Sequence, residues 1–147
     1  MILPRYMEID LAADKVQSYS ISQNDYQMFL GGKSLAAKIL YDELPANINP
    51  LAAENLLVIN TGPLTGTGAP SSSRFNISSK SPLTGAIASS NCGGTFGTRL
   101  RRAGFDGLVI RGQAPHPVYI EILDGGILIK DARDLWGLDT EEFQNHF

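Results

Sequence analysis

Of the chain's 15 glycines, 10 lie between Gly62 and Gly112. Glycine weakens helix and strand interiors but serves turns and close backbone approaches. That stretch must therefore be built from short elements and tight connections. It also spells Pro-Leu-Thr-Gly twice, at residues 63–66 and 82–85, 19 residues apart. Proline presets φ at the second position of a turn and glycine suits the last, so each copy reads first as a turn. Four residues are too few to make a structural repeat.

The flanking sequence supplies the rest of the fold. "MEIDLAADKVQSYSI" (7–21) predicts two short strands around a polar turn at Ala13-Asp14. Ser22 predicts a helix cap, with Asp25 in the first turn and Gly31-Gly32 as the stop. In "KSLAAKILYDEL", Leu35, Ala36, Ile39, Leu40 and Glu43 recur at helical spacing until Pro45. "LLVIN" (56–60) reads as a buried strand, and "RFNISS" and "GLVIR" as further strands. "TRLRRA" reads as a short helix closed by Gly104, and "VYIEILDGGILIKD" as a hairpin. Asp139 and Glu142 have capping-box spacing. Strands mixed irregularly with a few helices predict an α+β domain, β-rich and layered, with mainly antiparallel sheets and a few short helices. The sequence ends at Phe147 inside the helix it has just begun, so the expectation is part of a longer protein.

Composition narrows the partners. A net charge of -3 argues against general attraction to nucleic acid or an anionic membrane. No apolar run approaches the roughly 20 residues that span a bilayer. The start lacks the pattern of a secretory signal, and the single cysteine, Cys92, points to a reducing compartment; the expected location is cytoplasmic. One cysteine also excludes an iron–sulfur site built by this chain alone.

No catalytic motif is present. After "LLVIN" there is no Gly-Lys-Ser/Thr ending, and Ser71 follows Pro70 where a dinucleotide fingerprint needs glycine. In "NCGGTFG" (91–97), Gly93-Gly94 admits close approach of a ligand or makes a tight strand-to-helix link. Cys92 reads as a small buried side chain rather than a nucleophile. Arg74 has the planar fork that grips phosphate or a planar ligand, though most loop arginines face solvent. Arg99, Arg101 and Arg102 read as a solvated helix face, and His116 and His146 stand in neither metal-binding nor triad spacing.

Taken in order, Gly-Pro-Leu-Thr-Gly, Arg-Phe-Asn, Lys-Ser-Pro-Leu-Thr-Gly, Asn-x-Gly-Gly and Ala-Gly-Phe-Asp make a specific combination. With "FLGGKSLAAKILYDELP" upstream and "IKDARDLWG" downstream, residues 7–136 resemble the N-terminal domain of the aldehyde:ferredoxin oxidoreductase family. The resemblance implies that residues 1–147 form a pterin-cofactor-binding domain, with later helical domains absent. It implies a tungsten- or molybdenum-bis-pterin lying on a β-rich base, with the metal held by pterin sulfurs. Arg74 matches the arginine between pterin and a 4Fe-4S cluster. Asn91 matches the asparagine whose backbone carbonyl binds a magnesium ion bridging the pterin phosphates, and Gly93 and Gly94 match the glycines beside those phosphates. The two Pro-Leu-Thr-Gly turns would flank the Arg74 segment and help aim it. Cys92 replaces a common serine, and Arg102 a common apolar residue.

The implied activity of the full protein is oxidation of an aldehyde or related small carbonyl compound to a carboxylic acid. Electrons would pass through the cluster to ferredoxin or a similar carrier. The face bearing Arg74 and residues 91–94 is expected to be exposed in this chain, a surface that also favours homo-oligomers. A non-catalytic module binding a phosphorylated ligand or a partner protein is the other reading of the residues. Purified alone, the 147-residue chain is expected to lack stoichiometric iron and sulfide and to oxidise no aldehyde; elemental analysis and a dye-reduction assay check both.

Overall fold

The computed structural model of the chain describes residues 3–146. Its strands are β1 (Tyr6–Asp10), β2 (Lys15–Tyr19), β3 (Leu57–Thr61), β4 (Phe75–Lys80), β5 (Ile87–Cys92), β6 (Gly107–Arg111), β7 (Val118–Leu123) and β8 (Gly126–Asp131). Its helices are α1 (Gln23–Phe29), α2 (Gly32–Glu43), α3 (Phe96–Arg102) and α4 (Thr140–His146). Six strands form one sheet in the order β2-β1-β6-β3-β4-β5, and β7-β8 form a separate hairpin. Neighbours run antiparallel except β1 and β6, which are parallel. The domain is α+β, as the sequence predicts.

Alternation along the strands builds two cores. Val58 and Val109 face one side of the sheet, where α2 lays down Leu35, Ala36, Ile39 and Leu40. Leu108 and Ile110 face the other, packed with Leu100, Phe105 and the isoleucines of the β7-β8 hairpin. β6 is thus covered on both sides, which explains its uninterrupted apolar run. β2 and β5 form the sheet's two edges.

The caps follow the sequence with one shift. Ser22 Oγ accepts the Asp25 N–H at 3.0 Å. After α1 the chain turns through three successive residues of positive φ, Leu30 (61), Gly31 (150) and Gly32 (55), and Gly32 already opens α2. Asp139 Oδ1 accepts from the N–H groups of Glu141 and Glu142, while the Glu142 carboxylate accepts from the Asp139 N–H. That reciprocal pattern is a capping box.

Two side-chain expectations need correction. Cys92 is exposed, because it ends an edge strand with no layer above it. Arg101 is half-buried and paired with Asp106, so the arginines of α3 are not uniformly solvated. His116 Nε2 lies 3.9 Å from Asp131 Oδ2, at the end of the hairpin. Arg102, by contrast, is exposed, which accommodates its charge.

The tightest approach in the sheet is at Gly107. It pairs with Tyr6 across β1 and β6, and a Cβ there would lie 2.3 Å from a carbon of the Tyr6 ring. Tyr6 is only 2% exposed, so its ring has nowhere to move. Gly107→Ala is expected to destabilise the domain by about 1–3 kcal/mol through overpacking. Gly68→Ala, where a Cβ meets open space, should change stability by less than about 0.5 kcal/mol. Urea unfolding midpoints of the two variants check the contrast.

Candidate functional site

β3 and β4 end in a long connection, residues 62–74, that carries the first Pro-Leu-Thr-Gly copy and Arg74. The Thr65 N–H donates to the Gly62 carbonyl at 3.1 Å, closing the turn over Pro63. Thr65 itself is buried; its hydroxyl accepts the Gly62 N–H at 3.3 Å and donates to the Arg74 carbonyl at 3.1 Å. One threonine therefore ties the start of the loop to its end and fixes the backbone at Arg74. Gly97, in the first turn of α3, docks against this tie: a Cβ there would lie 3.0 Å from the Ser73 carbonyl and 3.3 Å from Thr65 Cγ2. Phe96 completes the contact by packing on Phe75, with ring centroids 4.7 Å apart.

The second copy has a different job. It closes the far end of the β4-β5 hairpin, where the Gly85 N–H donates to the Ser81 carbonyl at 2.9 Å. β4 has six residues, so this turn stands about 20 Å of strand away from Arg74. The two turns flank the Arg74 segment in sequence, but only the first can aim it. Leu83 at the tip of the second is 92% exposed.

Beside the first turn lies an open cleft of about 400 Å³ whose lining includes Gly32, Asn60, Ser71, Arg74, Asn76 and Asn91. This volume is in the range of small-molecule sites. The structure brings the predicted residues Arg74 and Asn91 together in it. Gly93 and Gly94 do not line it; they form the turn just after Asn91, exposed, with open space where each Cβ would be. Gly94 takes a left-handed conformation, φ 85, which side chains rarely adopt. As expected, the face carrying Arg74 and residues 91–94 is exposed in this chain.

The electrostatics of the cleft are simple. Among the described residues, Arg74 is the one cation of its lining and no carboxylate lines it, although the chain as a whole is acidic. The Arg74 guanidinium makes no hydrogen bond or ion pair among the described residues. Asn91 Oδ1 accepts from Asn76 Nδ2 at 3.1 Å, which holds the Asn91 side chain against β4. Asn76, 2% exposed, shares the two hydrogens of that nitrogen among Asn91, Ser89 Oγ and the Ser90 carbonyl, while its Oδ1 accepts from Ser78.

Two lining residues escaped the sequence reading. Asn60 and Asn76 are buried polar side chains at inward strand positions. A polar residue closing the apolar run "LLVIN" was the available signal, since a buried amide must find partners. Asn60 Nδ2 donates to the Tyr6 hydroxyl at 3.1 Å and to the Gly32 carbonyl at 3.0 Å. Burial pushes the Tyr6 phenol well above its usual range, so that oxygen stays neutral.

Residues 6–147 match the family model described as aldehyde ferredoxin oxidoreductase, N-terminal domain. The chain belongs to this family. Tungsten-containing aldehyde ferredoxin oxidoreductases from Pyrococcus furiosus and Thermococcus kodakarensis are each 41% identical to it over 138 residues, covering 94% of the chain and 23% of the relative. An aliphatic sulfonate oxidoreductase, WOR-like subunit, from Pyrococcus furiosus is 37% identical over 137 residues, covering 91% of the chain and 22% of the relative. Among solved structures, the active-site complex BamBC of benzoyl coenzyme A reductase, in complex with 1,5-dienoyl-CoA, superposes with a TM-score of 0.93 at 34% identity. That match covers 97% of this chain and 22% of the other. The chain therefore spans under a quarter of the length of the relatives it matches. No helix among its described residues is long and apolar enough to cross a membrane.

Thr65→Val should cost about 1–3 kcal/mol, because the Arg74 carbonyl and Gly62 N–H lose a buried partner. Amide exchange across residues 66–74 should accelerate while β6 stays protected. Thr84→Val, in the exposed second copy, should leave both readouts near wild type.

Proposed function

We propose that this domain is the base for a tungsten- or molybdenum-bis-pterin cofactor in an oxidoreductase acting on an aldehyde or a related small compound. The observation that carries the reading is the Arg74 guanidinium, unpaired in a cleft without carboxylates. A fixed cation with two parallel donors suits an acceptor-rich, anionic, planar ligand. The exposed backbone at Gly93 and Gly94 fits as well, since nothing stands where a side chain would block a phosphate. When bound, the metal–pterin group would supply the two-electron oxidation of an aldehyde to a carboxylic acid, with the added oxygen from water and a 4Fe-4S cluster as the one-electron relay toward ferredoxin or a similar carrier.

The chain's own part is binding and electrostatics. Arg74 would hydrogen-bond the pterin and place a positive charge beside the cluster. The Asn91 backbone carbonyl would help hold a magnesium ion at the pterin phosphates. With one cysteine, this chain cannot supply the cluster's thiolates, which would come from the remainder of a longer protein. That remainder would also cover the cleft. The relatives' names support the division of labour: aldehyde, aliphatic sulfonate and benzoyl coenzyme A enzymes all contain a domain like this one. A part shared across such different substrates fits cofactor support better than substrate choice.

Substitution of Arg74 in the full-length protein tests the reading. Arg74→Lys keeps the charge but loses the planar fork; Arg74→Ala loses both, at about 1–3 kcal/mol if the acceptors are buried. Both variants should fold, with cofactor retention or electron transfer impaired and alanine the worse. The cluster potential should shift negative in Arg74→Ala, because a nearby cation favours the reduced, more negative cluster. Redox titration and metal analysis check this. Unchanged potential, occupancy and activity in Arg74→Ala would reduce the arginine to a surface residue.

A further inference from the structure

Asn60 is fully buried, yet it lines the same cleft as Arg74. Both hydrogens of its Nδ2 are used, on the Tyr6 hydroxyl and the Gly32 carbonyl. Those two bonds orient the carboxamide, since reversing it would set its oxygen 3.0 Å from the Gly32 carbonyl oxygen. Its Oδ1 is left with no hydrogen-bond partner among the described residues. A buried acceptor without a donor is rare in folded proteins and calls for an explanation. Bridging Tyr6 and Gly32 explains the nitrogen; nothing among the described residues explains the oxygen.

We propose that Asn60 Oδ1 is a ligand-binding acceptor, taking an N–H from the molecule seated beside Arg74. Resting on the pterin reading above, the donor would be an amino or ring N–H of the pterin. The cleft would then read two edges of one planar ligand: Arg74 donates to its acceptors, and Asn60 accepts from its donors. A ligand offering only acceptors, such as inorganic phosphate, would satisfy Arg74 and leave Asn60 unpaired.

The test uses the full-length protein purified with its cofactor and reads pterin per protein after extensive dialysis, from the fluorescence of the released, oxidised pterin. Asn60→Leu keeps the volume and removes the acceptor; retention should fall about tenfold, the effect of one unmade hydrogen bond. Tyr6→Phe removes a partner of Nδ2 but spares Oδ1, and should stay within about twofold of wild type. Wild-type retention in a folded Asn60→Leu protein would overturn the proposal, as would equal losses in the two variants. If Asn60→Leu does not fold, a crystal structure of the loaded wild-type protein decides. A pterin nitrogen within about 3.2 Å of Asn60 Oδ1 is expected. Pterin present with that oxygen still unpaired would overturn this inference alone, whereas a wild-type protein without pterin in the cleft would overturn the cofactor reading with it.

Discussion

The Tyr6 ring lies where a side chain at position 107 would be, and the rest of the molecule is arranged around that contact. It brings β1 against β6, the strand that is covered on both faces. It also carries a phenol into the first core, where the only stable course is to pair it. Asn60 does so, and the same carboxamide reaches the Gly32 carbonyl at the entry to α2. Packing in the middle of the sheet is thus connected, through one amide, to the wall of the cleft. A change that loosens the Tyr6 ring would be felt at the site without touching a residue that lines it.

The local structure was legible in the sequence because its signals are local. Ser22, Asp139 and Glu142 act within one helical turn, and Asp124-Gly125-Gly126 within one hairpin. The apolar stripe of α2 needed only its own spacing. The parallel pairing of β1 with β6 was not legible, since nothing near Tyr6 says that its partner lies about a hundred residues on. The same limit applied at the site. Arg74 and Asn91 were assigned through a resemblance carried by the order of several motifs, and the structure then brought them into one cleft. Asn60 and Asn76 went unnoticed because an asparagine's importance comes from burial, which depends on the finished sheet. The repeated Pro-Leu-Thr-Gly shows the converse error: identical words at opposite ends of a strand have different surroundings, and only Thr65 is enclosed.

Relatives named for different substrates contain a domain similar to this one. The cleft is neutral apart from Arg74, polar through amides and hydroxyls, and free of groups that titrate near neutrality. On the cofactor reading proposed above, such a surface would hold a reactive cofactor without competing for its protons. What the cofactor then does would be decided by whatever closes over the open face.

The parallel pair has a further consequence, in the order of events during synthesis. β1 is made first, yet its inner neighbour is complete only when Arg111 has been added. The Arg5 N–H waits equally long for the Asp106 carboxylate, 101 residues later. Until then Tyr6 has no seat, and Asn60 has no phenol to meet. Long-range pairings of this kind make folding slow, because loop closure must precede the contacts that reward it. The cleft, whose residues lie between the two strands in sequence, would thus gain its final shape only after the emerging chain has passed β6. On the cofactor reading proposed above, a cofactor arriving earlier would find no finished site, and loading would follow synthesis of the domain.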